Sequence, residues 1–127
     1  MCQSRFAITY IAVFILVLAL LGCGRQHKAE SLISNFVEKN IARSDYSLSF
    51  SAADSTKNLT DSMITVMKTA AGSNKLYKKP IQYGGYKGNT NTYAFVKVMI
   101  VCGKNDTLRQ TFYLDHQLTN VIAFKEN

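Results

Sequence analysis

Side chains able to do chemistry are sparse here, with two histidines and three cysteines among 127 residues. His27 stands in a polar stretch ahead of the first apolar repeat, and His116 follows Asp115 in a turn-like "DHQ". General acid–base work needs titratable groups held within hydrogen-bond reach inside a cleft. A solvated turn gives Asp115 and His116 no such setting. Serines are common, but none lies in a nucleophile elbow, so a Ser-His-Asp arrangement has nothing to organise it. Metal binding needs several His, Cys or carboxylate ligands to converge, and no carboxylate pair shares an apolar helical face. Cys102 closes an apolar strand pattern with no histidine or second cysteine beside it, as a small buried hydrophobe would. The chain reads as a non-enzyme without cofactor or metal.

The segment from Lys75 to Tyr93, "KLYKKPIQYGGYKGNTNTY", is the candidate binding site. Tyr77, Tyr83, Tyr86 and Tyr93 interleave with Lys78, Lys79 and Lys87, a combination able to stack on sugars or hold an anionic polymer. Tyrosines also simply suit strands. Its glycines lack the Lys-Ser/Thr and following helix of a phosphate-binding loop, and they lead into a strand, as a hairpin loop does.

Those residues must be placed by elements, and the elements begin after a distinct leader. Arg5 precedes an apolar run from Phe6 to Leu21, and no acidic residue appears before Glu30. The run has 16 residues, short of the roughly 20 that span a bilayer core, so a signal peptide is expected. It ends in Leu20-Leu21-Gly22-Cys23, which resembles the bacterial lipobox. The resemblance implies cleavage between Gly22 and Cys23 and a diacylglycerol on the Cys23 sulfur, enough buried methylenes to hold a protein on a membrane. Cys2 would then be removed and Cys102 left alone, without an intrachain disulfide. Loss of residues 1–22 removes one basic residue, Arg5, so a net charge of +7 becomes +6. A basic surface favours anionic headgroups or peptidoglycan carboxylates, and an exported protein has no call on nucleic acid.

The expected organisation is 1–22 signal peptide, 23–30 lipidated cysteine and polar tether, and 31–127 one small domain. Leu32, Ile33, Phe36, Val37 and Ile41 recur at helical spacing and predict a helix from about Ala29 to Arg43. The serine-rich "SDYSLSFSAADSTKN" reads as a loop, with a short extended piece possible where Tyr46, Leu48 and Phe50 alternate. A second helix is expected over Leu59–Ala71, with Asn58 as N-cap, Asp61 reaching back to it and Gly72 as a left-handed stop. Its apolar stripe would be Leu59, Met63, Val66, Met67 and Ala70. Beyond it the period becomes two. A strand broken by Pro80 is expected in "KLYKKPIQYGGYKG". "TYAFVKVMIVC", "TLRQTFYLD" and "LTNVIAFK" then form an antiparallel meander.

The fold class is therefore α+β, two helices packed on a three- to four-stranded antiparallel sheet. One helical layer would cover the apolar face, leaving the other face to line a concavity or meet a partner. This order resembles the cystatin-like and NTF2-like folds, and the whole resembles the small lipoproteins of gut Bacteroidetes. Gly24 lacks the aspartate associated with inner-membrane retention, and Arg25, His27 and Lys28 depart from the acidic start of surface-exported members. The resemblance implies an outer-membrane protein facing the periplasm. The function expected is a non-catalytic binding or scaffolding module for an envelope protein or peptidoglycan. Two alternatives are an NTF2-like pocket for a small apolar ligand, lined by Phe95, Phe112 and Phe124, and an inhibitor of an envelope enzyme. Asp54-Ser55-Thr56, Asp61-Ser62-Met63 and Asp106-Thr107-Leu108 resemble the tripeptides at which that group of bacteria O-glycosylates exported proteins.

Overall fold

The computed structural model describes residues 24–83 and 92–127. The chain is α+β. A helix, α1, occupies residues 24–40; β1 (Tyr46–Phe50), β2 (Asp54–Thr56), α2 (Asp61–Ala71), β3 (Tyr93–Cys102), β4 (Asp106–Asp115) and β5 (Val121–Glu126) follow. All five strands form one antiparallel sheet, ordered β1-β3-β4-β5, with β2 pairing β3 beyond the end of β1.

The meander follows from strand alternation. Ala94, Val96, Val98, Ile100 and Cys102 all point to one face and are buried. Through the register Val96↔Phe112↔Phe124 the same face continues across β4 and β5. Gly103 makes the β3–β4 turn with φ +61°, where a Cβ would lie 3.3 Å from an Arg43 guanidinium nitrogen. Glycine is the residue that reaches this conformation without strain.

α1 lies across that face. Ala29, Ile33, Phe36 and Val37 share one core with it. Phe112 stacks on Phe124 with centroids 5.3 Å apart, and Phe36 meets each edge-on at 6.0 Å. The helix is longer at its start than the apolar spacing indicated. Residues 24–30, expected as a polar tether, are its first two turns, and they are docked. Gln26 donates to Ser51 O (2.9 Å) and accepts from Ala53 N (2.7 Å), while Arg25 and Lys28 donate to the His116 and Gln117 carbonyls. Polar residues wrote this docking as side chain to backbone bonds, which a search for apolar repeats does not detect.

The second helix departs from expectation in several ways. Its N-cap is Thr60, whose hydroxyl accepts from Met63 N, and Asn58 lies outside it. Asp61 sits in the first turn, where its charge suits the helix dipole. Gly72 ends it in the right-handed region (φ −60°), not the left-handed one. Its buried residues are Ile64, Met67 and Ala71, whereas Met63 and Val66 are 46% and 66% exposed. The helix is rotated because its partner is the opposite face of the sheet: Leu59, Ile64 and Met67 pack on Tyr93, Ile122 and Ala123. The two helices thus cover different faces. A register shift between Tyr113 and Leu114 makes this possible. It puts Val121 and Phe124 under α1, and Ile122 and Ala123 under α2.

The strand expected around Pro80 is absent from residues 75–83, which make a single bridge, Ile41↔Tyr77. Pro80 follows a cis bond from Lys79. Asn40, 2% exposed, holds this stretch instead. Its amide donates to the Phe36 and Gln82 carbonyls, and its carbonyls accept from Gln82 N and Lys78 N.

The aromatic core carries a stability prediction. Phe112→Ala should cost about 3–5 kcal/mol in urea denaturation, because it empties the centre of a packed cluster. Val66→Ala should cost under about 0.5 kcal/mol, as expected of an exposed site; equal losses would contradict this packing.

Candidate functional site

The described binding candidates, Tyr77, Lys78, Lys79, Tyr83 and Tyr93, do not gather on one surface. Gly22, Cys23, Tyr86 and Lys87 lie outside the described residues. Tyr77 is 3% exposed, its ring 4.7 Å from that of Phe124, and its hydroxyl donates to Gln110 Oε1 at 2.6 Å. Tyr93 is buried against α2 on the other side of the sheet. The two tyrosines therefore serve separate cores.

Lys79 is committed too. Its ammonium donates to the Ala71 and Asn74 carbonyls, capping the carbonyl end of α2 where a cation is favoured. Tyr83 is half-buried, with its ring 5.5 Å from Phe36 and the Lys68 ammonium 4.8 Å from the ring centroid. Of the described candidates only Lys78 is an uncommitted exposed cation, and even its backbone N–H donates to Asn40. Among the described residues of the aromatic–basic segment, Tyr77, Lys79 and Tyr93 are taken up by structural contacts.

Nor do Phe95, Phe112 and Phe124 line one cavity. Phe112 and Phe124 stack in the α1 core, while Phe95 lies on the opposite face, 6.1 Å from Tyr113. Strand alternation separates them: Val96, not Phe95, is opposite Phe112.

The acid–base candidates are turn residues. Asp115 accepts from Thr119 N (2.7 Å), Asn120 N (2.8 Å) and the Thr119 hydroxyl. It thereby closes the β4–β5 turn, in which Leu118 takes φ +58° and is buried. His27 and His116 are exposed. Cys102 is 1% exposed and burial pushes its thiol pKa up, away from the reactive thiolate. Among the described residues no three His, Cys, Asp or Glu side chains come together as a metal site. Ser55, Ser62 and Thr107 of the three Asp-Ser/Thr tripeptides are all exposed.

The surface that does assemble is the sheet face opposite α1, where α2 leaves it uncovered. Alternation places Lys97 and Met99 of β3, Arg109 of β4 and Lys125 of β5 there, all exposed. Lys97 and Lys125 both pair with Thr111, and Met99 pairs with Arg109. Strand spacing then sets the Lys97 and Lys125 backbones about 10 Å apart, with Arg109 diagonal to both. A shallow depression of about 310 Å³ is lined by Phe50, Lys97, Met99 and Arg109 with Ser49 and Asn127. A larger cleft of about 640 Å³ runs between the outer side of α2 and β5, lined by Val66, Met67, Ala70, Phe124 and Lys125 among others.

Local alternation in the sequence does not unite Lys97, Arg109 and Lys125. They belong to three strands, and only the register joins them. The face can attract an anionic partner over Met99 as an apolar contact. Comparison with protein-family models, curated proteins and solved structures finds no match for the chain.

The buried tyrosines carry a pH prediction. Burial pushes the Tyr83 phenol from 10.0 up to about 12. It also pushes Tyr77 up, outweighing the opposing effect of its bond to Gln110. An unfolded tyrosine therefore loses its proton at lower pH than either folded one, and alkali favours unfolding. Stability should be flat below pH 10.0 with respect to Tyr83 and fall as pH rises towards about 12. The urea midpoint and tyrosinate absorbance should follow together; in Tyr83→Phe the fall should be shallower. An unchanged slope would refute the assignment.

Proposed function

We propose that the chain is a lipid-anchored protein of a bacterial envelope that binds an anionic partner without chemistry of its own. On this reading residues 1–22 are a signal peptide, Cys23 carries the lipid, and the domain faces the periplasm from the outer membrane. Support for the anchor is the pattern Arg5, apolar run, Leu20-Leu21-Gly22-Cys23. Among the described residues no helix is long and apolar enough to cross a membrane. A long helix lying across an antiparallel sheet also supports a cystatin-like reading of the fold.

The observation that carries the binding role is the open sheet face. Lys97, Arg109 and Lys125 share it with Met99. Strand alternation directs two acidic side chains to that side, Asp54 opposite Phe95 and Asp115 opposite Tyr93, both towards its β2 end, and Asp115 is bonded to the Thr119 and Asn120 backbone. Such a face suits peptidoglycan carboxylates or an acidic protein surface through long-range attraction. It replaces the Lys75–Tyr93 segment as the proposed surface, because Tyr77, Lys79 and Tyr93 are already occupied.

Two measurements test this. A clickable fatty-acid analogue fed to cells should label the wild-type protein and not Cys23→Ser; an unlabelled wild type, or residues 1–22 still attached, would remove the anchor. Capture of the mature domain by peptidoglycan or envelope proteins should drop several-fold in Lys97→Glu/Arg109→Glu/Lys125→Glu. It should hardly change in Lys78→Glu. Equal capture by all three proteins would remove the face.

A further inference from the structure

We infer that the end of the domain built from the first turn of α1 and the β4–β5 turn rests against the phospholipid headgroup layer. The inference rests on lipidation of Cys23, and adds to that reading which part of the protein meets the bilayer. Its basis is that the chain is fixed to the domain almost at once. Gln26 is held by two hydrogen bonds to the β1–β2 connection, one at each end of its side-chain amide. Arg25 and Lys28 are bonded to the His116 and Gln117 carbonyls, and Ala29 is fully buried. Only three peptide steps separate Cys23 from Gln26, and three extended residues reach about 10 Å at most. A lipidated sulfur at that distance cannot let the domain swing away from the surface as a long flexible arm would.

The orientation then follows from the fold. α1 runs from residue 24 to residue 40, about 25 Å at 1.5 Å per residue. β3 runs from Tyr93, beside β2 and Asp115, to Cys102, beside Asp106 and β1. Its ten residues span about 33 Å. The β4–β5 turn therefore lies at the anchored end, and the β3–β4 turn with Gly103 and Lys104 lies at the far end.

The anchored end has the chemistry of a headgroup contact. It presents Arg25, His27, Lys28 and His116, all exposed. Arg25 and Lys28 are bonded to carbonyl groups rather than carboxylates, so their charges are not neutralised by these partners and can face lipid phosphates. The acidic groups nearby are Asp54, Asp115 and Glu30; the Asp115 carboxylate is turned inward to the Thr119 and Asn120 amides. The open sheet face runs along the side, between the two ends, and is left clear of the membrane for its partner.

The experiment uses full-length protein, processed in cells and reconstituted in phosphatidylethanolamine–phosphatidylglycerol vesicles. A photoreactive benzophenone residue replaces either Gln117 or Lys104. Intact mass first reports whether Cys23 carries lipid. With lipid present, irradiation should yield lipid adducts at position 117 several-fold above those at 104. Comparable yields at the two positions, or a larger yield at 104, would overturn the orientation while leaving the anchor standing. A mass without lipid would instead remove the anchor and this inference with it. A flexible glycine–serine insert between Gly24 and Arg25 should bring the yield at 117 down to that at 104; an undiminished yield would refute the short reach as its cause.

Discussion

Everything in this fold leans on one constraint, that the apolar face of β3 must be covered along its whole length. Ala94, Val96, Val98, Ile100 and Cys102 are five consecutive inward positions with no polar member. Removing that face from water is the largest gain available to so short a chain. α1 supplies the cover, and the Phe36, Phe112 and Phe124 rings close the middle of it. Gln110, fully buried on the same face, shows what the arrangement tolerates. Its Oε1 accepts from Tyr77, but its Nε2 has no partner among the described residues, a cost the surrounding apolar burial offsets.

The second face obeys a weaker rule. α2 covers only the β5 side and the start of β3, and the register shift before Leu114 lets β5 bury side chains in both directions. What remains bare carries Lys97, Arg109 and Lys125. Like charges on neighbouring strands repel, so this face is less favourable for the isolated fold than a mixed one would be. Hydroxyls surround them: Ser47 and Ser49 of β1 and Thr107 of β4 are exposed on the same side. A cationic and hydroxyl-rich sheet surface keeps solvent contact in the free protein and still offers attraction to an anion.

How much of this could be read from residues alone depends on the range of the interaction. The β3 face was legible because alternation is local and unbroken, and so was the three-strand meander, whose connecting turns are short. The cores of both helices were partly legible. Ile33, Phe36 and Val37 were expected to be buried and are, but Met63 and Val66 are exposed because α2 found its partner on the opposite face. The start of α1 was illegible for a different reason. Gln26 is held by Ser51 and Ala53, contacts that leave no periodic trace. Tyr77 and Lys79 show the converse error. Residue types suited to binding were absorbed by long-range structural roles, a buried hydrogen bond to Gln110 and a helix cap.

Basic charge is legible in the sequence, whereas its place on the surface is set by long-range contacts. A basic excess in the sequence says that anions are favoured somewhere on the surface, and it is blind to which lysines are engaged within the fold. Lys79 spends its ammonium on α2, and Lys68 sits over the Tyr83 ring. Lys97, Arg109 and Lys125 have no acidic partner among the described ion pairs, which join only Arg43 to Asp45 and Asp106. Pairing thus withdraws one end of the molecule from competition for anions. The field available to a partner comes from cations the fold leaves without an acidic neighbour, and strand register concentrates three of them on one face.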